Sequence, residues 1–188
     1  LVDRMVEKGG AIHPSKVEAG SEYVSFIGPG HHNATPFDPE VMKYVAMEML
    51  MEAGVKVKLH TFFADCLVEQ NNIRYSILAD KKGLSLAEAK IFIDTTGDGD
   101  LAASAGVPFD KGRSKDGKLQ PATMFMIINN VNDKAVIEWK KEHPNERLFQ
   151  SLVRKAKENG DFPEDCPRKH VGLYKMPRRG HWRVNTSR

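Results

Sequence analysis

Apolar and polar residues alternate strictly through Val55-Lys56-Val57-Lys58-Leu59-His60-Thr61. Such alternation predicts a strand with one wet face, or a strand near a sheet edge. Just upstream the period changes. Val41, Tyr44, Val45, Met47, Met49 and Leu50 recur at helical spacing and predict a helix with a wide buried stripe, with Met42, Met47, Met49 and Met51 as core filling. Asp38-Pro39-Glu40 starts this helix with an N-cap acid, proline at the first helical position and Glu in the first turn; Gly54 closes it. Residues 64–68 predict a further strand, Asn71-Asn72 a hairpin turn, and residues 73–78 the antiparallel return. Lys81-Lys82-Gly83 is a second turn, and residues 85–90 lead into Ile91-Phe92-Ile93-Asp94, an apolar run of strand type.

A tight turn of small and acidic residues follows, then a short helix over residues 101–105 stopped by Gly106 and Pro108. Residues 110–120 form a polar connection. Residues 123–128 predict a strand, Asn132-Asp133 the cap of a helix running to about Glu142, and Pro144-Asn145 the start of a helix reaching Asn159 and stopped by Gly160. Residues 161–188, with three prolines and Gly180, predict loop with short strands. Near the start, Val2, Met5 and Val6 suit the tail of a helix capped by Gly9-Gly10, and residues 22–27 suit one short strand in a loop-rich stretch.

Composition narrows the class. With 188 residues, 40% hydrophobic and 28% charged, the chain has the balance of a globular protein. A net charge of +3 without a dense run of Lys and Arg on one element does not ask for nucleic acid. No apolar run approaches the ~18 residues of a membrane span. The first residue is Leu and no signal peptide is visible, so the expectation is an internal piece of a longer cytoplasmic protein. Cys66 and Cys166 form no C-x-x-C pair and read as reduced thiols.

Candidate chemistry concentrates in the turn at residues 94–100. Gly97-x-Gly99-x-x-Ala102 fits a relaxed phosphate-cradling pattern after a strand. Asp98 and Asp100 oppose that use, because they would repel a pyrophosphate. Asp94, Thr96, Asp98 and Gly99 match the first positions of a calcium loop, but Ala105 stands where a bidentate Glu is required. A third possibility is a carboxylate accepting hydrogen bonds from sugar or polyol hydroxyls while glycine backbone packs on a flat cofactor. A plain strand-to-helix turn with solvent-facing acids is the fourth. The other glycine pair, in Ile27-Gly28-Pro29-Gly30, lacks the third glycine of a dinucleotide fingerprint and reads as loop.

The run Ile93-Asp94-Thr95-Thr96-Gly97-Asp98-Gly99-Asp100-Leu101-Ala102, followed by Ala105-Gly106-Val107-Pro108-Phe109, resembles a signature of the FAD-dependent oxidoreductase family of the glutathione-reductase-like class. Gln120-Pro121-Ala122-Thr123-Met124 and Val184-Asn185-Thr186-Ser187-Arg188 resemble flanking segments of that family. The resemblance implies an α/β fold: part of an FAD/NAD(P)-binding Rossmann-like domain (helix, strand, antiparallel meander, return strand) and the start of a mixed α+β substrate domain. It divides the chain into a connecting or substrate-domain segment at 1–37, part of the FAD-binding domain at 38–109 and part of the substrate domain at 110–188. It implies FAD as cofactor, with Thr96, Gly97 and Asp98 approaching it and backbone at Phe63 and Ala64 near the adenine.

The principal phosphate site of the family is missing from the chain, so FAD belongs to the full-length parent and the fragment alone is expected to be empty and inactive. In flavin enzymes the protein chiefly positions substrate. Arg179, Arg183 and Arg188 are accordingly the expected substrate-binding residues, with Arg178 and His181 beside them, because guanidinium groups clamp carboxylates. The expected partner is a small-molecule substrate, with no metal, nucleic acid or membrane. The alternative is a non-catalytic α/β ligand-binding or regulatory module that has lost its flavin.

Overall fold

Asp38 begins helix α2 (Pro39–Glu52): its carboxylate accepts the Glu40 N–H at 2.9 Å, and Pro39 occupies the position where an N–H would go unused. The computed structural model describes residues 1–17, 21–23, 34–163 and 165–185. These divide into two units, Leu1–Val55 with Pro121–Arg188, and Lys56–Gln120.

In the first unit α2 packs on helix α1 (Val2–Glu7) around Met5, Ala11 and fully buried Val45, with Val6, Phe37, Val41 and Met49 against them. Burial of a side chain such as Val45 contributes about 1.5–3 kcal/mol. The buried stripe is narrower than the sequence pattern suggests. Val41, Val45 and Met49 face the core at four-residue steps, whereas Met42, Tyr44, Leu50 and Met51 are exposed, because a single short helix covers α2.

The rest of this unit holds strand β4 (Met126–Ile128), helices α4 (Asp133–Glu142) and α5 (Gln150–Glu158), and strands β5 (Leu173–Lys175) and β6 (Trp182–Val184). The three strands form an antiparallel sheet in the order β4-β6-β5. Period-two alternation sorts its faces. Trp182, Val184 and Leu173 turn to a core with Val136, Val131, Leu148 and Phe149, while Arg183 pairs across with Ile127 and Tyr174 in the other register set. Asn132 caps α4 as expected, accepting the Ala135 N–H. The helix expected from residue 145 begins only at Gln150, since Phe149 adopts left-handed backbone (φ 59°) and the Glu146 carboxylate accepts the Ser151 N–H.

The second unit is a meander of β1 (Phe62–Glu69), β2 (Asn72–Asp80) and β3 (Gly83–Ala87), followed by the short helix α3 (Asp100–Ser104). Gln70 and Asn71 form the two-residue hairpin, both with positive φ, one position earlier than the Asn pair suggests. Residues 55–61 and 91–94 are not strands. A strand exists through its ladder, and no described segment pairs with either. Val55, Val57, Leu59, Ile91 and Ile93 remain exposed. The sheets of both units are antiparallel, so the chain has mixed helix and strand without a parallel ladder among the described residues. The strand expected at residues 22–27 lies largely, and the Ile27-Gly28-Pro29-Gly30 loop wholly, outside the described residues. Among those described, no helix is long and apolar enough to cross a membrane.

Candidate functional site

The turn after residue 93 is organised by one of its own acids. Asp94 accepts the Thr96 N–H at 2.9 Å and the Thr96 hydroxyl at 2.8 Å through one oxygen, and the Ala102 N–H at 2.8 Å through the other. The Thr96 hydroxyl in turn accepts the Asp100 N–H at 2.8 Å. The Thr96 N–H, then the Ala102 N–H and the Thr96 hydroxyl, hold the Asp94 carboxyl below its usual value. Asp94 and Thr96 thus build the turn and cap α3. Asp94 has spent both oxygens on donors, which argues against the calcium reading. Gly97 (φ 98°) and Gly99 (φ 74°) reverse the chain in left-handed backbone, and a Cβ at either would meet nothing within 4 Å. Asp98 lies between them, exposed and with no hydrogen bond or ion pair among the described residues.

The same unit ties β1, which carries Phe63 and Ala64, to the helix that follows the turn. β1 carries a bulge at Ala64, the unpaired residue between the pairs Phe63–Leu78 and Asp65–Ile77. The next residue, Asp65, accepts the Ser104 hydroxyl from the end of α3 and the Cys66 N–H. Those bonds, the hydroxyl first, hold Asp65 below its usual value. Phe63 and Ala64 therefore sit on the strand to which the Thr96-Gly97-Asp98 turn is tied through α3. Sequence reasoning passed over Asp65 and Ser104; a polar pair 39 residues apart leaves no local signal. Cys66, buried on β1, is the packed small residue its strand position suggests, and both cysteines are free.

In the first unit a largely apolar cavity of about 260 Å³ lies on the sheet face that carries Arg183. Phe37, Pro39, Phe125, Ile127, Tyr174 and Met176 line it. The Arg183 guanidinium stands over the Phe125 ring at 4.6 Å and the Tyr174 ring at 5.6 Å. Two aromatic faces hold the cation without neutralising it. No carboxylate among the described residues pairs with it. Arg179 is exposed along a separate, wider groove beside Asn130, Asp133 and Lys134. Arg178 is bound instead to the N-cap of α2, its Nε 2.7 Å from the Asp38 carboxylate. Arg188 lies outside the described residues. The structure thus separates Arg179 from Arg183, which the sequence had grouped.

Behind Arg183, on the opposite sheet face, lies a buried polar cluster the sequence did not announce. Asp133 accepts the Trp182 indole N–H at 2.8 Å and the Gly180 N–H at 3.1 Å. Gly180 needs left-handed backbone (φ 70°) to do so, and an added Cβ would crowd the Val131 carbonyl at 3.3 Å. Lys175, almost fully buried, stands 3.6 Å from Asp133 and 3.4 Å from Glu22, over the Tyr23 ring. Burial opposes the charge on Asp133, but the Trp182 and Gly180 hydrogen bonds and the Lys175 charge outweigh it and leave the carboxyl below its usual value. Burial first, then the Glu22 and Asp133 charges, push Tyr23 up to about 12.

Among the described residues no three His, Cys, Asp or Glu side chains gather as a metal site. No curated protein and no solved structure matches the chain. A family model described as FAD dependent oxidoreductase does match, over residues 1–186. The match spans both units and the acidic glycine turn together, and the chain belongs to the FAD-dependent oxidoreductase family.

Proposed function

We propose that this chain forms part of a flavin-linked oxidoreductase acting on a small molecule, in which the Thr96-Gly97-Asp98 turn contacts FAD and Arg183 receives an anionic group of the substrate. The reading is carried by one observation: of the acids at the turn, Asp94 is saturated by internal donors, while Asp98 is left exposed and unpartnered between two glycines with open space above them. A free carboxylate suits the hydroxyls of a ribose or ribityl chain. It does not suit the pyrophosphate, which Asp98 and Asp100 would repel. The turn therefore fits the polyol portion of FAD. Phe63 and Ala64, on the strand tied to the turn, are the proposed neighbours of the adenine.

Bound FAD would supply the electron transfer. The residues of this chain do the rest. Asp98 accepts hydroxyl hydrogen bonds and fixes the cofactor's orientation. Arg183, held by Phe125 and Tyr174 in an apolar cavity, binds a carboxylate or similar group and leaves the substrate's apolar body on Ile127 and Met176. Arg179 and Arg188 are further proposed substrate contacts. In this reading residues 38–109 contribute to a Rossmann-like FAD-binding domain of the glutathione-reductase-like class, and residues 110–188 to the substrate domain. The exposure of Ile91 and Ile93 supports that assignment, because apolar residues of strand type are ordinarily covered by neighbouring strands and helices. Free Cys66 and Cys166 accord with a reducing, cytoplasmic setting.

The test is Asp98→Ala in the full-length protein. Loss of a charge-assisted hydrogen bond should weaken FAD binding by about tenfold or more, read as flavin absorbance retained after gel filtration and as the dissociation constant of added FAD. Unchanged flavin content and affinity would remove Asp98 from the cofactor site. A colourless full-length protein that also refuses added FAD would overturn the oxidoreductase reading in favour of a non-catalytic ligand-binding module.

A further inference from the structure

Away from the turn and the Arg183 cavity, cations outnumber acids around α5 among the described residues. A cleft of about 670 Å³ between α5 and the segment after Cys166 includes Arg154, Lys157, Arg168 and Lys169 in its lining. It adjoins a smaller cavity of about 300 Å³ that shares Arg168 and Lys169 and adds Arg147 and His170. Five cationic side chains thus surround the two cavities, against the carboxylates of Glu146 and Glu158. Two acids do not balance five cations, and Glu146, whose carboxyl the Ser151 hydrogen bonds first and then the Arg154 charge hold below its usual value, is committed to the start of α5. Glu146 accepts the Ser151 N–H, and no ion pair forms to Arg147, Arg154, Arg168 or Lys169 among the described residues. Lys157 gives its ammonium to the Cys166 carbonyl.

Two observations point to an anion at this place. The Arg168 Nε is buried and has no hydrogen-bond partner. Leaving a buried N–H of a guanidinium unpaired is costly, and such groups are ordinarily satisfied. His170 sits in the smaller cavity with two positive neighbours: burial first, then the Arg147 and Arg168 charges, depress its pKa. Both features are answered by one oxyanion.

We propose that the paired cavities beside α5 bind a phosphate group, held by Arg168, Arg147 and Lys169, with the larger cleft accommodating the small organic body of a phosphorylated ligand. A tetrahedral dianion offers acceptor oxygens to guanidinium and ammonium groups arriving from different sides, which a single planar carboxylate cannot. This inference is independent of the flavin reading.

Inorganic phosphate is the probe. It is titrated into the full chain in low-chloride buffer, by calorimetry and by the imidazole NMR signals of His170. Phosphate should bind at one site and shift the His170 ring signals. Arg168→Gln should weaken it by about tenfold or more. Arg168→Lys, which keeps charge but loses the fork, should fall between, and serves if the Gln variant folds poorly. Lys134→Gln, an exposed cation on α4, should bind as the parent does. The proposal is overturned if His170 does not respond, if Arg168→Gln binds phosphate unchanged, or if Lys134→Gln loses as much as Arg168→Gln, which would mark an adventitious ion only. Malonate binding as tightly as phosphate would overturn the phosphate assignment.

Discussion

Replacing Asp133 with Ala should destabilise the first unit strongly, although the side chain is small and polar. The carboxylate performs three tasks at once. It accepts the Trp182 indole N–H at 2.8 Å, accepts the Gly180 N–H at 3.1 Å, and faces the Lys175 ammonium at 3.6 Å. The Lys175 side chain is only 4% exposed, so its charge has little recourse to water. Removing one partner of a buried ion pair costs about 3–5 kcal/mol. Glu22 remains 3.4 Å from Lys175 and is half-exposed, which places Asp133→Ala at the lower end, about 3 kcal/mol. Asp133→Asn keeps an acceptor for Trp182 and should lose less, about 1–2 kcal/mol. Urea unfolding followed by tryptophan fluorescence is the assay, since Trp139 and Trp182 both belong to this unit. Adding Lys175→Met to Asp133→Ala should restore part of the loss, because the uncompensated buried charge is then gone. A loss below about 1 kcal/mol for Asp133→Ala, or no recovery in the double variant, would refute the reasoning that the cluster is a dependent charge network.

Arg183→Ala should abolish binding of benzoate, an apolar carboxylate probe for the cavity, while leaving the unfolding midpoint nearly unchanged; chemical-shift titration checks it, and undiminished benzoate binding would exclude Arg183 as the anion contact. Tyr23 should ionise near pH 12, read as the part of an alkaline absorbance titration that Tyr23→Phe removes. Because its folded pKa is raised from 10, the stability it contributes is complete below about pH 10 and is lost as pH rises through about 12; Tyr23→Phe should remove that loss, and an identical alkaline profile would contradict it.

Local signals in the sequence were read well where the chemistry is itself local. Asp38-Pro39 begins α2 and Gly54 ends it, because capping needs only neighbours in sequence. The same holds for the Asn132 cap of α4, the stop at Gly160 and the buried Cys66. The meander was legible from alternation and turn residues, and the acidic glycine turn from its spacing. Where a side chain's fate depends on distant partners, the sequence misled. Residues 55–61 and 91–94 have strand composition but no neighbouring strand among those described. Tyr44 and Leu50 have helical spacing but no element over them.

The candidate site divides along the same line. The sequence by itself determined the turn, its glycines and its acids, because backbone reversal and residue type are written in consecutive positions. Only the tertiary structure decided which acid is spent and which is free: Asp94 finds donors at Thr96 and Ala102, Asp98 finds none. Likewise, Arg178, Arg179 and Arg183 stand close together in the sequence, but what lies around each came only from the fold. Arg178 met Asp38, Arg179 faced a groove, and Arg183 came to stand between Phe125 and Tyr174. A charge acquires a function from the dielectric and the partners around it, and those are assembled from residues far apart in the chain.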